Sequence, residues 1–118
     1  MSGYQPVELD VDLLRSLFRN LSAFRSIYES EGVDVIQSPN GDEWCLWDVE
    51  YLYQVAIERL PLRQSQAIQL FLFDNLRESD VAGMMGLKPS NPIGMYATSG
   101  LERLLTWINN DELENFTL

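Results

Sequence analysis

The chain has 118 residues, 46% apolar and 22% charged, which suits one soluble globular domain with an ordinary core. Its 18 acidic and 8 basic residues give a net charge of −10, so taken as a whole it repels a polyphosphate backbone. With no His and the single Cys45, the chain excludes His-dependent triads, imidazole metal sites, an intramolecular disulfide and a multi-cysteine zinc site. No run reaches the ~18 to 20 apolar residues of a membrane span. The start Met1-Ser2-Gly3-Tyr4-Gln5-Pro6 lacks the basic and apolar regions of a signal peptide. The expectation is a cytoplasmic protein, in the cytoplasm of a bacterial host, with no membrane partner.

The charge is uneven. Residues 1–59 hold 11 acids and 4 bases, residues 60–108 hold 4 of each, and 109–118 add three acids. The excess acidity therefore lies outside 60–108.

In chain order, Asp10 or Asp12 is a fitting N-cap for a first helix. Leu13, Leu14, Leu17, Phe18 and Leu21 recur at helical spacing, and Ala23, Phe24, Ile27 and Tyr28 continue the pattern after Ser22. One long helix or two shorter ones both fit, ending at Glu31-Gly32. A hairpin follows over about 33–47. Val33, Val35 and Ile36 lead into Ser38-Pro39-Asn40-Gly41, a turn signal, and Glu43 to Trp47 reads as the return strand. Asp48 then caps a connecting helix with the stripe Val49, Leu52, Tyr53, Val55 or Ala56, and Leu60.

Pro61 stands near the start of the next helix, where its missing N–H costs nothing. Ala67 to Phe73 is strongly apolar, with Phe71 and Phe73 expected in the core, and Asn75-Leu76 breaks it. A short helix follows over Glu78 to Met85, with Met84 and Met85 also expected in the core, and Gly86 ends it. Lys88-Pro89-Ser90 is a turn, and Asn91-Pro92 reads as N-cap and N1 of the last helix. That helix places Ile93, Ala97, Leu101, Leu104 and Ile108 on one face. Gly94 and Gly100 weaken it by about 1 kcal/mol each unless a neighbour approaches closely. Asn109-Asn110 ends it, and in the acidic tail Leu113 and Phe116 are the residues able to dock.

The order Leu60-Pro61-Leu62-Arg63-Gln64, Ala67-Ile68-Gln69-Leu70, Asn75-Leu76-Arg77-Glu78-Ser79-Asp80-Val81-Ala82-Gly83-Met84-Met85-Gly86-Leu87 and Leu101-Glu102-Arg103-Leu104 resembles region four of bacterial RNA polymerase sigma factors. With the hairpin and Trp44-x-x-Trp47 ahead of it, the chain looks more like the sigma-like regulators of actinobacterial phages. The resemblance implies a tri-helical helix-turn-helix. In that family the last helix reads promoter DNA in the major groove, and the first helices of the region hold the flap of the polymerase β subunit. Two departures matter. Arg77 stands where the family has a Ser or Thr cap, and the stretch Asn91 to Ser99 that matches the reading helix has no base before Arg103. Bidentate arginine contacts to guanine are then missing from this face.

These readings combine into a mainly α chain: an N-terminal helix or helix pair with a small hairpin and connecting helix (1–59), a sigma region four-like helix-turn-helix (60–108) and an acidic tail (109–118), all in one compact domain. The expected function is a non-enzymatic, phage-encoded transcription regulator that mimics sigma region four and engages bacterial RNA polymerase or a sigma factor. The acidic surface suits basic surfaces of such machinery. The alternatives are a sequence-specific DNA-binding regulator, holding promoter DNA weakly, and a structural or interaction protein reusing the fold. Candidate nucleic-acid contacts are Arg77, Lys88, Ser90, Asn91, Tyr96, Thr98, Ser99 and Arg103. Candidate partner contacts are Trp44, Trp47, Arg63, Gly94 and Met95, with Gly94, Met95 and Thr98 forming a small, polar-poor exposed face. One of Trp44 and Trp47 is expected at the surface, because strand neighbours alternate. No motif indicates a cofactor, metal, catalytic residue or small-molecule substrate. Glu43 and Asp48 read as solvated surface, and Asp10-Val11-Asp12 as capping.

Overall fold

A computed structural model describes residues 9–39 and 41–114. The chain is mainly helical, with one two-stranded antiparallel hairpin. Helix α1 (Val11–Glu31) is a single helix. Asp10 is its N-cap: the backbone is extended and the carboxylate accepts from the Leu13 N–H at 2.7 Å. At the other end Gly32 takes φ 71°, and its N–H reaches the Tyr28 carbonyl at 2.8 Å. Leu13, Leu14, Leu17, Phe18 and Leu21 are buried. Beyond Leu21 the apolar spacing no longer meets the core: Ala23, Ile27 and Tyr28 are exposed and Phe24 is half-buried.

Strands β1 (Val35–Gln37) and β2 (Glu43–Cys45) pair in the register Val35–Cys45, Ile36–Trp44 and Gln37–Glu43. Gly41 at φ 88° supplies the positive φ of the turn, while Asn40 lies outside the described residues. Ile36 and Trp44 face inward and their neighbours outward. The return strand is shorter than its aromatic pattern suggests. Helix α2 (Leu46–Arg59) begins at Leu46, with Cys45 at the N-cap, so Asp48 is a first-turn residue and not the cap. Leu46, Val49 and Leu52 all enter the core, and only helical spacing from Leu46 onward puts them on one face. Val55 and Ala56 are both buried.

Helix α3 (Leu62–Ala67) follows Pro61 and runs on into a π-helical segment (Ile68–Phe73). Its wider turns close through Asp74 N–H to Gln69 O at 2.9 Å and Leu76 N–H to Leu70 O at 3.1 Å, with Asn75 at φ 60°. Ile68 and Leu72 point inward, while Phe71 and Phe73 are only half-buried. Helix α4 (Glu78–Met84) buries Val81 and Ala82. It ends in a Schellman turn: Leu87 N–H to Ala82 O at 2.7 Å, Gly86 N–H to Gly83 O at 3.1 Å, and Gly86 at φ 73°. Met84, expected in the core, is 63% exposed, because the core side of this short helix is filled by Val81 and Ala82.

Helix α5 (Ile93–Asn109) is capped by Pro92, not Asn91. The Asn91 amide instead donates to the Lys88 carbonyl at 3.2 Å, closing the preceding turn. Ile93, Ala97, Leu101, Leu104 and Ile108 are buried as the spacing requires. A Cβ at Gly100 would lie 2.9 Å from Ile68 Cδ1 and 3.2 Å from both Gln64 Cβ and Leu60 Cδ1. This glycine is what lets α5 approach α3 so closely. Past α5, Asp111 takes φ 56°, Glu112 N–H reaches Trp107 O at 2.9 Å, and Leu113 docks into the core. Phe116 lies outside the described residues. Side chains of α1 and α2 share one continuous core with Ile68, Leu72, Val81, Ile93 and Leu101 from the C-terminal half.

Candidate interaction surface

Three arginines of α1 tie the N-terminal half to the C-terminal half. Arg15 pairs with Asp12 at 2.6 Å and donates to Thr98 Oγ1 of α5 at 2.9 Å. Arg19 donates to Asn75 Oδ1 at 2.8 Å and lies over the Phe71 ring at 4.8 Å. Arg25 binds both oxygens of Glu50 in α2 and covers the Phe73 ring at 4.8 Å. Its hydrogen bond to Glu50 raises the Arg25 pKa further above its ordinary value. Phe73 in turn stacks on Tyr53 at 4.8 Å. Burial, with Asp74 adding to it, pushes the Tyr53 phenol up to about 12.

These contacts decide which part of α5 is open. Thr98 is half-buried and accepts from Arg15, and Gly94 is half-buried with a Cβ position 3.2 Å from Glu78 Oε1. The expected exposed face of Gly94, Met95 and Thr98 is therefore corrected: of the three, only Met95, 68% exposed, is open. The side of α5 opposite its core stripe is Met95, Ser99, Glu102 and Thr106, all exposed. This line holds a carboxylate and no cation. Residue type alone does not mark Glu102 or Thr106 as contacts, although rotating the apolar stripe by half a turn points to both.

The remaining candidates scatter around this line. Arg77 is almost fully exposed at the start of α4, with Asp80 at 3.6 Å. Lys88, Ser90 and Arg103 are exposed. Asn91 is half-buried, and its Oδ1 accepts from the Tyr96 hydroxyl at 3.3 Å. Arg63 sits 5.9 Å from the half-buried Tyr96 ring. Asn91, Tyr96 and Thr98 are thus occupied by contacts within the molecule.

The two tryptophans separate. Trp44 is 7% exposed and belongs to the core, which corrects its place among the partner contacts, whereas Trp47 is 50% exposed. The cause is a change of element: Trp44 faces inward from β2 and Trp47 outward from the first turn of α2. Trp47 meets Tyr28 edge to face at 5.0 Å beside a cleft of about 260 Å³. No group of carboxylates and cysteine able to hold a metal ion occurs among the described residues, and none of their helices is long and apolar enough to cross a membrane. Comparison with family models, curated proteins and solved structures found no match to this chain.

Proposed function

We propose that the chain is a non-enzymatic transcription regulator whose segment 60–108, resembling sigma region four, engages RNA polymerase or a sigma factor through protein–protein contact. The observation that carries this reading is the open line of α5. Met95, Ser99, Glu102 and Thr106 offer an apolar anchor, small polar groups and a negative charge, a composition suited to a protein surface and unsuited to a groove walled by phosphates. Glu78, whose carboxylate lies beside Gly94 of the same helix, adds to that polarity. The chain's acidity favours encounter with basic surfaces of nucleic-acid machinery.

A second reading, direct DNA binding, draws on Arg77, Lys88, Ser90 and Arg103, which are exposed on a segment of zero net charge. Affinity capture with purified bacterial core polymerase and with a housekeeping sigma factor, run beside a low-salt mobility-shift series on promoter fragments, separates the two. Capture that is lost in Met95→Glu, with no DNA shift, is the expected outcome. A salt-dependent shift lost in Arg77→Ala or Lys88→Ala, with no capture, would replace the first reading by the second. Neither capture nor shift would leave a structural or interaction protein.

A further inference from the structure

The exposed apolar surface is concentrated in one place. Five of the eight large apolar side chains left exposed among the described residues (Ile27, Tyr28, Val33, Val35 and Trp47) lie on the end of α1, the hairpin and the start of α2. Leu46 N–H donates to Asp34 O at 2.7 Å, which ties the first residue of α2 to the chain just ahead of β1. Trp47 and Tyr28 wall the cleft, Leu46 contributes to its lining, and Glu29 and the Arg25–Glu50 pair complete it. Glu50 is engaged by Arg25 through both oxygens, and Glu29 is the second, exposed carboxylate of the lining. The surroundings are strongly acidic: residues 25–50 hold seven carboxylates and the single base Arg25.

We propose that the Trp47–Tyr28 cleft is a docking site for an arginine-bearing basic segment of a partner protein. A guanidinium stacks on an indole or phenol face while pairing with a carboxylate, and aliphatic neighbours in such a segment cover Val33 and Val35. The charge decides against other occupants. A second copy brings the same acidic rim and a net charge of −10, nucleic acid and anionic lipid bring phosphates, and the chain's own residues 115–118 contain no base. This surface is separate from the open line of α5, and the inference does not rest on the function proposed above.

The test uses the full chain with two synthetic peptides, one alternating Arg and Leu and one with Glu in place of Arg. It follows the indole N–H signals of Trp44, Trp47 and Trp107 by NMR. The Arg peptide is expected to move the Trp47 signal selectively, with affinity lowered about tenfold in Trp47→Ala and about threefold or more in Glu29→Lys. Met84→Ala, at a 63% exposed position of α4, is expected to bind as the parent chain does. Thermal melts establish that each variant is folded, and both substituted side chains are solvent-exposed. Equal binding of the Glu peptide, or unchanged affinity in both cleft variants, would overturn the proposal. So would a Trp47 shift produced by raising protein concentration alone, which marks self-association. Binding that emerges only after removal of residues 115–118 would also overturn it, because the cleft would then belong to the chain's own tail.

Discussion

Gly100 and Gly83 are both helical glycines, yet their substitution by Ala is expected to act in opposite directions. Alanine brings a helix-propensity gain of about 1 kcal/mol at either site. At Gly83 nothing lies within 4 Å of the new Cβ, so Gly83→Ala is expected to stabilise by roughly that amount. At Gly100 the Cβ meets Ile68, Gln64 and Leu60 inside a packed interface, and overpacking of this kind costs about 1 to 3 kcal/mol. Gly100→Ala is therefore expected to be net destabilising by about 1 kcal/mol, read as a lowered urea midpoint. Tyr53 gives a prediction in pH. Its phenol is raised from 10.0 to about 12 in the folded chain, chiefly by burial. The Tyr53 contribution to stability is thus complete below pH 10 and is lost between pH 10 and 12, where the unfolded chain releases its proton first. Urea midpoints of the parent and of Tyr53→Phe should show this loss in the parent alone.

At the scale of elements, α1 is more than a core helix, because its cationic side chains clamp α2, the π segment and α5. Arg25 bridges α1 to Glu50 of α2 and to Phe73 of the π segment. The ion pair is partly exposed, at 40% and 24% for the two side chains, so solvent screening limits its value. A double-mutant cycle with Arg25→Ala and Glu50→Ala is expected to give a coupling of about 1 kcal/mol, the bidentate geometry lifting it to the top of the range for exposed pairs. Denaturation of the four chains of the cycle measures it, and a coupling near zero would make the pair incidental to the α1–α2 packing. Caps, Asn-Gly and apolar spacing are local signals, and they place α1, the hairpin turn, α4 and α5 within a few residues. They do not reveal the early start of α2 or the π segment. Trp44, Cys45, Leu46 and Trp47 suit a strand locally, and only the packing of Leu46 beside Val49 and Leu52 selects the helix.

For the molecule as a whole, the division at residue 59 marks a change of charge and not a boundary of folding. Leu14, Leu17 and Phe18 of α1 belong to the same core as Ile68, Leu72 and Leu101. A chain beginning at residue 60 loses that cover and is expected to show no cooperative thermal transition, whereas the full chain unfolds in one. Circular dichroism melts of both decide this, and a cooperative melt of the short chain would make 60–118 an independent unit. The same shared core explains why the candidate site was only partly legible. Residue types on α5 could be read from its helical period, but the loss of Thr98, Gly94 and Asn91 to internal partners depends on Arg15, Glu78 and Tyr96, none adjacent to its partner in sequence.

Composition and residue order are enough to fix the net charge of −10 and its uneven distribution, the absence of His, the helical stripes and most of the element order. These come from composition and from short-range periodicity, which need no fold to be counted. Tertiary structure decided which polar groups remain open to a partner. It buried Trp44 and exposed Trp47, closed Thr98 with Arg15, and left Met95, Ser99, Glu102 and Thr106 as the outward line of α5. Exposure is set by what packs against a residue from distant parts of the chain, and no local pattern carries that information.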